Sequence, residues 1–136
     1  MRKPGRVFCD SSVLIRYFAE DDPPRAFAAA GLIESDATLV ISTGVILEVV
    51  HVLRTKHGIG NPRVGEGLIR FLTREQVELV DADRATAVAG LKWTLRNSAR
   101  RIPDAIMAAA AEHAGCDAIA TFDEDFASPS VPVRLL

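Results

Sequence analysis

The sequence has little cysteine, with only two in 136 residues, and these two form no C-x-x-C pair. That scarcity argues against a disulfide framework and against a cysteine-based zinc site. Cys9 and Cys116 each lie in or beside an apolar strand-like segment. We therefore expect both to be small buried hydrophobic residues.

A long apolar stretch is also lacking near the amino terminus. Arg2, Lys3 and Arg6 precede an apolar run that Asp10 ends, well before a signal peptide or a membrane span would be complete. We therefore expect a cytoplasmic protein with no membrane contact.

An excess of positive charge is absent as well, since 16 lysine and arginine residues face 18 acidic ones, for a formal charge of −2. This balance argues against a protein that holds nucleic acid by a bulk positive field alone. A nuclease stays possible, because divalent ions bound by carboxylates reverse the local sign of the potential.

Apolar segments alternate with helical patterns along the whole chain. Strands are predicted at residues 7–9, 38–41, 77–80, 117–121 and 131–136, with helices between them. No long linker, internal repeat or low-complexity segment interrupts the pattern. The sequence therefore predicts a single α/β domain over residues 1–136, a three-layer α/β/α sandwich with a mainly parallel central sheet.

Turn and cap residues mark several helix ends. We expect Ser11 or Ser12 to cap the first helix and Asp83 to cap a later one. The glycine-rich segment at 58–62 resembles a phosphate loop, but no strand precedes it and no lysine occupies the required position. It is predicted to be a turn between two helices, with Gly58 as the end cap.

Four acidic residues occupy positions where a carboxylate does not serve packing. Asp10 and Asp123 follow predicted strands, Glu48 lies inside an apolar helical stretch, and Asp104 begins a helix after Pro103. Strand ends and helix starts meet at one rim of a parallel sheet, so these acids are expected to converge. Their mutual repulsion calls for a cation, and hard oxygen ligands select Mg²⁺ or Mn²⁺.

Each acid also has a structural interpretation when taken alone. Asp10, Asp104 and Asp123 could be helix caps, and Glu48 could pair with Arg54 or another arginine. Four acids at equivalent topological positions favour the metal site more strongly than any one of them does.

The spacing of these acids resembles that of PIN-domain ribonucleases, and the small size is most similar to the VapC-type toxins of toxin–antitoxin pairs. The segments that carry the resemblance include DSSVL at 10–14, and its most specific part is TFDEDF at 121–126 combined with the PD helix start at 103–104. The resemblance implies a Mg²⁺- or Mn²⁺-dependent endoribonuclease that leaves a 5′-phosphate. It also implies an RNA substrate, a cognate antitoxin bound around residues 16–18 and along the helices of residues 27–71, and a homodimer.

The resemblance further assigns roles to individual residues. It makes Asp10, Glu48, Asp104 and Asp123 the catalytic metal ligands. Ser11 and Thr121 match positions that support these acids by hydrogen bonding. Asp125 could complete the pocket through water or cap the turn around Phe126, and the cap is favoured.

Basic residues just before Asp104 are the expected substrate contacts. Arg96, Arg100 and Arg101 are placed to reach RNA phosphates, with a solvated helix face as the alternative. Two other functions are weaker: a phosphatase-like or dehalogenase-like hydrolase with Asp10 as nucleophile, and a non-catalytic PIN-like scaffold that binds RNA or protein.

Overall fold

The central sheet of the protein is entirely parallel. A computed structural model describes residues 5–96 and 101–136, which form five strands and six helices. In chain order these are β1 (Arg6–Cys9), α1 (Ser11–Ala19), α2 (Pro23–Ile33), β2 (Thr38–Ile41), α3 (Thr43–Thr55), α4 (Asn61–Leu72), β3 (Val77–Leu79), α5 (Arg84–Leu95), α6 (Ile102–His113), β4 (Ala118–Thr121) and β5 (Val133–Leu135). The strand order is β3-β2-β1-β4-β5, and every pairing is parallel. The predicted α/β sandwich with a parallel sheet is confirmed.

Strand β1 lies in the middle of the sheet, paired with β2 on one side and β4 on the other. Val7, Phe8 and Cys9 are all buried, as expected of a strand covered on both faces. The chain first builds β2 and β3 on one side of β1 and then adds β4 and β5 on the other. The switch point therefore lies between β1 and β4, where such sheets form a ligand-binding crevice beyond the strand ends.

The helix caps follow local sequence, with one correction. Asp10, rather than Ser11 or Ser12, is the N-cap of α1, because its carboxylate accepts the Ser11 N–H. Asp83 caps α5 as predicted. Gly58 has a left-handed φ of 63° in the segment between α3 and α4, so the glycine-rich segment is a turn as predicted.

Helix α1 packs against both α2 and α3, α3 also contacts α4, and α5 and α6 form a closely packed pair. The close approach requires Gly90, since a Cβ there would lie 3.1 Å from the carbonyl oxygen of Ala105. Cys9 is buried as predicted, whereas Cys116 is only partly buried, and both are free thiols. Among the described residues, the helices are too short or too polar to cross a bilayer.

Candidate active site

A cavity of about 450 Å³ opens at the carboxyl edge of β1 and β4, and all four predicted acids line it. Asp10 follows β1, Glu48 lies on α3, Asp104 is in the first turn of α6, and Asp123 follows β4. The remaining lining residues are Ser11, Ser12, Ile15, Arg16, Val52, Lys56, His57, Arg101 and Met107. The fold thus brings together carboxylates that are up to 113 positions apart in the sequence.

Hydroxyl groups hold the buried carboxylate of Asp10 in place. Its Oδ2 accepts hydrogen bonds from Thr121 Oγ1 at 2.6 Å and Ser12 Oγ at 2.9 Å. Its Oδ1 accepts from the Ser11 backbone N–H at 2.8 Å and from Ser11 Oγ at 3.3 Å. Thr121 Oγ1 also accepts the Asp123 N–H at 3.0 Å. The Thr121 hydroxyl therefore joins the two acids that follow β1 and β4.

Sequence reasoning anticipated Ser11 and Thr121 in this network but missed Ser12. The Ser12 hydroxyl contacts Asp10, lies 3.2 Å from Thr121 Oγ1 and accepts the Phe122 N–H at 3.0 Å. Its place in the first turn of α1, two residues after Asp10, is the signal that could have identified it.

Two of the acids are harder to ionise than usual. Burial raises the pKa of Glu48, the nearby Asp10 carboxylate raises it further, and a hydrogen bond with Ser11 partly offsets both effects. Burial likewise raises the pKa of Asp104, with smaller opposing contributions from the Ala127 N–H and Arg101. A cation added to this cavity would favour the ionised forms and so oppose the effects of burial and of the Asp10 charge that raise both pKa values.

Arg101 contacts two of the acids directly. Its Nε and Nη2 lie 3.1 Å and 3.0 Å from Asp104 Oδ2, and Nη2 also donates a short hydrogen bond to Asp123 Oδ2. Partial burial raises the pKa of Asp123, but the hydrogen bond from Arg101, the Asp125 N–H and the Arg101 charge together outweigh it, so the net pKa is lowered. In the described part of the chain, no three acidic, histidine or cysteine side chains are arranged to hold one ion directly.

The turn after β4 is held by Asp123 rather than by Asp125. Asp123 Oδ1 accepts the Asp125 N–H at 2.9 Å, and the Asp123 carbonyl accepts the Phe126 N–H at 3.1 Å. The Asp125 side chain is exposed and does not line the cavity. The structure therefore brings the Asp123 carboxylate into the site and leaves that of Asp125 outside it.

Of the basic residues expected to contact substrate, the structure brings one into the cavity. Arg101 lines it, but its guanidinium engages carboxylates. Arg96 is the exposed C-cap of α5 and lines a different cavity, between α5 and α6. Arg100 lies outside the described residues.

Two basic residues that line the cavity were missed from the sequence, Lys56 and His57, and Arg16 lies there with them. Asp21 lies near two of them, 3.7 Å from Arg16 Nη1 and 3.2 Å from His57 Nδ1. A signal was available, since Glu48, Val52 and Lys56 are four residues apart and thus share one face of α3.

Comparison with known proteins gives a consistent result. Residues 7–131 match the PIN domain family. The crystal structure of VapC20 from Mycobacterium tuberculosis, described as a Sarcin-Ricin loop cleaving toxin, has a TM-score of 0.71 at 19% identity, over 88% of this chain and 92% of that chain. Curated protein sequences give no match.

Two further solved structures share the fold. VapBC2 from Rickettsia felis, bound to a DNA fragment from its promoter, has a TM-score of 0.68 at 15% identity, covering 95% of this chain and 97% of that chain. PAE2754 from Pyrobaculum aerophilum has a TM-score of 0.65 at 16% identity, covering 96% and 92%. At such identities, the structural matches establish the architecture.

Proposed function

The chain belongs to the PIN domain family, and on that premise we propose that it is a Mg²⁺- or Mn²⁺-dependent endoribonuclease, the toxin of a toxin–antitoxin pair. The observation that carries the proposal is the cavity at the switch point of the sheet. Acids from four separate segments line it, although burial and, to a smaller extent, the Asp10 carboxylate raise the pKa of two of them, Glu48 and Asp104. A bound cation explains this cluster of partly buried carboxylates better than packing does, because packing alone would not offset the energetic cost of burying their charges.

The chemistry of these donors fits such an ion, although the described side chains do not converge closely enough to hold one without rearrangement. Asp10, Glu48, Asp104 and Asp123 would hold it, since carboxylate oxygens are the ligands that Mg²⁺ and Mn²⁺ prefer. When bound, a divalent ion polarises the scissile phosphate and lowers the pKa of a bound water. Asp10 is the best-oriented of these ligands, because Ser11, Ser12 and Thr121 fix both of its oxygens.

The same hydrogen bonds disfavour the hydrolase that uses Asp10 as a nucleophile. Both Asp10 oxygens accept hydrogen bonds from the protein, which lowers their nucleophilicity.

We place the RNA backbone at the mouth of the cavity. Arg16, Lys56 and His57 line this cavity, and the positive charges of Arg16 and Lys56 would attract phosphates adjacent to the scissile one. This arrangement replaces the contacts that were expected of Arg96, which faces another cavity. RNA as the substrate is supported by the PIN domain family match and by the fold shared with VapC20, which is described as a Sarcin-Ricin loop cleaving toxin.

The proposal includes an antitoxin partner and a homodimer. A second cavity, of about 480 Å³, lies between α1, α2 and α4, and its lining includes Tyr17, Phe18, Arg70, Phe71 and Arg74. This cavity falls in the region where the family resemblance implies an antitoxin segment. The shared fold with VapBC2, an assembly of two proteins, supports such a partner. Co-expression with the neighbouring gene product, followed by purification of the complex, tests it.

The decisive experiment is cleavage of a structured RNA with Mg²⁺ or Mn²⁺, with and without chelator. We expect metal-dependent cleavage that Asp10→Asn and Asp104→Asn each reduce by at least about a hundredfold, as loss of a metal ligand requires. Asp36→Asn, an exposed acid away from the cavity, is the matched control and should cleave like the wild type. Cleavage that persists in chelator, or in both site variants, would refute the proposal.

One observation favours a second function, the non-catalytic scaffold. Because Arg101 already bridges Asp104 and Asp123, the protein has an internal cation where the metal would bind. RNA binding without cleavage in any divalent metal would support that alternative.

A further inference from the structure

The Arg101 guanidinium is positioned as a counter-ion of the candidate metal site. It contacts Asp104 through two nitrogen atoms and Asp123 through one. These contacts use Oδ2 of both acids. An ion held by the same oxygens would meet a guanidinium already bound there, and two cations that share one pair of carboxylate oxygens repel each other.

The side chains of Arg101, Asp104 and Asp123 differ in how much of their surface is exposed to solvent. The Arg101 side chain is 53% exposed, compared with 32% for Asp123 and 7% for Asp104. Arg101 also lies just before the first residue of α6, so a change of its rotamer breaks no helical hydrogen bond. Backbone N–H groups also bind the two carboxylates: the Ala127 N–H donates to Asp104, and the Asp125 N–H donates to Asp123. The arginine is therefore the most exposed side chain of the three, and its departure would break neither of these backbone hydrogen bonds.

We propose that a divalent ion and Arg101 compete for Asp104 and Asp123, and that the ion releases the guanidinium to bind an RNA phosphate. The inference rests on the proposed metal site. It gives Arg101 two alternating partners: the carboxylates when the metal is absent and the substrate when the metal is bound. Guanidinium groups suit both, because their planar donors match carboxylate and phosphate oxygens alike.

The two possible roles of Arg101 predict opposite changes in metal affinity when the side chain is removed. If Arg101 competes, its removal tightens metal binding. If Arg101 instead holds the acids in a coordinating position, its removal weakens metal binding. The measurement is Mn²⁺ affinity in the absence of RNA, from the electron paramagnetic resonance signal of the free ion during titration.

We expect Arg101→Gln to bind Mn²⁺ roughly tenfold more tightly than the wild type, since a competitor with charge-assisted hydrogen bonds is removed. Arg101→Lys keeps the charge but loses the planar pair of donors, so its Mn²⁺ affinity should lie between those of the wild type and Arg101→Gln. Arg96→Gln is the matched control, because this exposed arginine lies outside the cavity, and its Mn²⁺ affinity should be unchanged.

Equal or weaker Mn²⁺ binding by Arg101→Gln, with Arg96→Gln unchanged, overturns the inference and leaves the proposed metal site intact. Absence of Mn²⁺ binding by both the wild type and Arg101→Gln rejects the metal site, and the inference with it. The two failures are therefore distinguishable.

Release of the guanidinium is tested separately with a 2′-O-methyl RNA oligonucleotide, which binds but resists cleavage, by fluorescence anisotropy. Arg101→Gln should weaken RNA binding several-fold in Mn²⁺ and to a smaller extent in chelator, because the wild-type guanidinium reaches phosphate only after the ion has displaced it. An equal loss in both conditions would contradict the release step.

Discussion

Thr121→Val should destabilise the protein far more than the small change in side-chain shape suggests. The Thr121 hydroxyl is fully buried, donates to Asp10 at 2.6 Å and accepts the Asp123 N–H at 3.0 Å. Valine keeps the volume and removes both bonds. A hydrogen bond to a charged group is worth about 1.5–3 kcal/mol, and an unsatisfied buried donor costs about 1–3 kcal/mol. We expect a loss of about 3 kcal/mol in the free energy of unfolding, measured by urea denaturation of the metal-free protein.

Thr121→Ser is the control, because it keeps the hydroxyl and removes one methyl group, at a cost of about 1 kcal/mol. The two variants should have similar m-values and clearly separated urea midpoints. If Thr121→Val is as stable as Thr121→Ser, the hydroxyl network does not hold Asp10 in place and the reasoning fails.

Three other predictions follow from the packing and the charges. Glu48→Gln should raise the free energy of unfolding at pH 7–8, because burial raises the pKa of the folded Glu48 carboxyl, and should abolish cleavage. Because the pKa of Glu48 is raised in the folded protein, the wild type loses stability as pH rises from 4.5 through that folded-state pKa. Below pH 4.5 the Glu48 carboxyl is neutral in both the folded and the unfolded state, so the difference in stability between Glu48→Gln and the wild type should vanish. Gly90→Ala should cost about 1–3 kcal/mol by overpacking the α5–α6 contact, whereas Gly65→Ala, with open space around it, should stabilise α4 by about 0.5–1 kcal/mol; equal thermal midpoints would contradict this. Lys56→Gln should lower the salt dependence of RNA binding by about 0.7 in log–log slope, as loss of one phosphate contact requires, with Arg54→Gln unchanged.

The sheet could be predicted from the sequence because its strands are short apolar runs that polar residues end sharply. Residues 38–41 were predicted to the residue as β2. Strand β5 is shorter than expected, Val133–Leu135, and its residues are exposed. The apolar pattern of the sequence cannot reveal this, because it does not show which strand lies at the edge of the sheet, where residues are less covered than in a central strand.

The acids of the site could also be predicted, because strand ends and helix starts converge in any sheet of this class. The role of Arg101 could not, since it depends on a side-chain rotamer at the start of α6 and on the path of the turn that holds Asp123. Lys56 was within reach of sequence reasoning, given its spacing from Glu48. The position of Arg96 depends on how α5 packs on α6, which the sequence pattern does not specify.

The pairing of β1 with β4 has a consequence for protein synthesis. Asp10 and Thr121 are 111 positions apart, yet they share a hydrogen bond at the centre of the site. A ribosome therefore makes Asp10, Glu48 and Asp104 well before it makes the residues that join them. An unfinished chain lacks the fourth acid, so a cell would meet the proposed nuclease only after translation has passed Asp123.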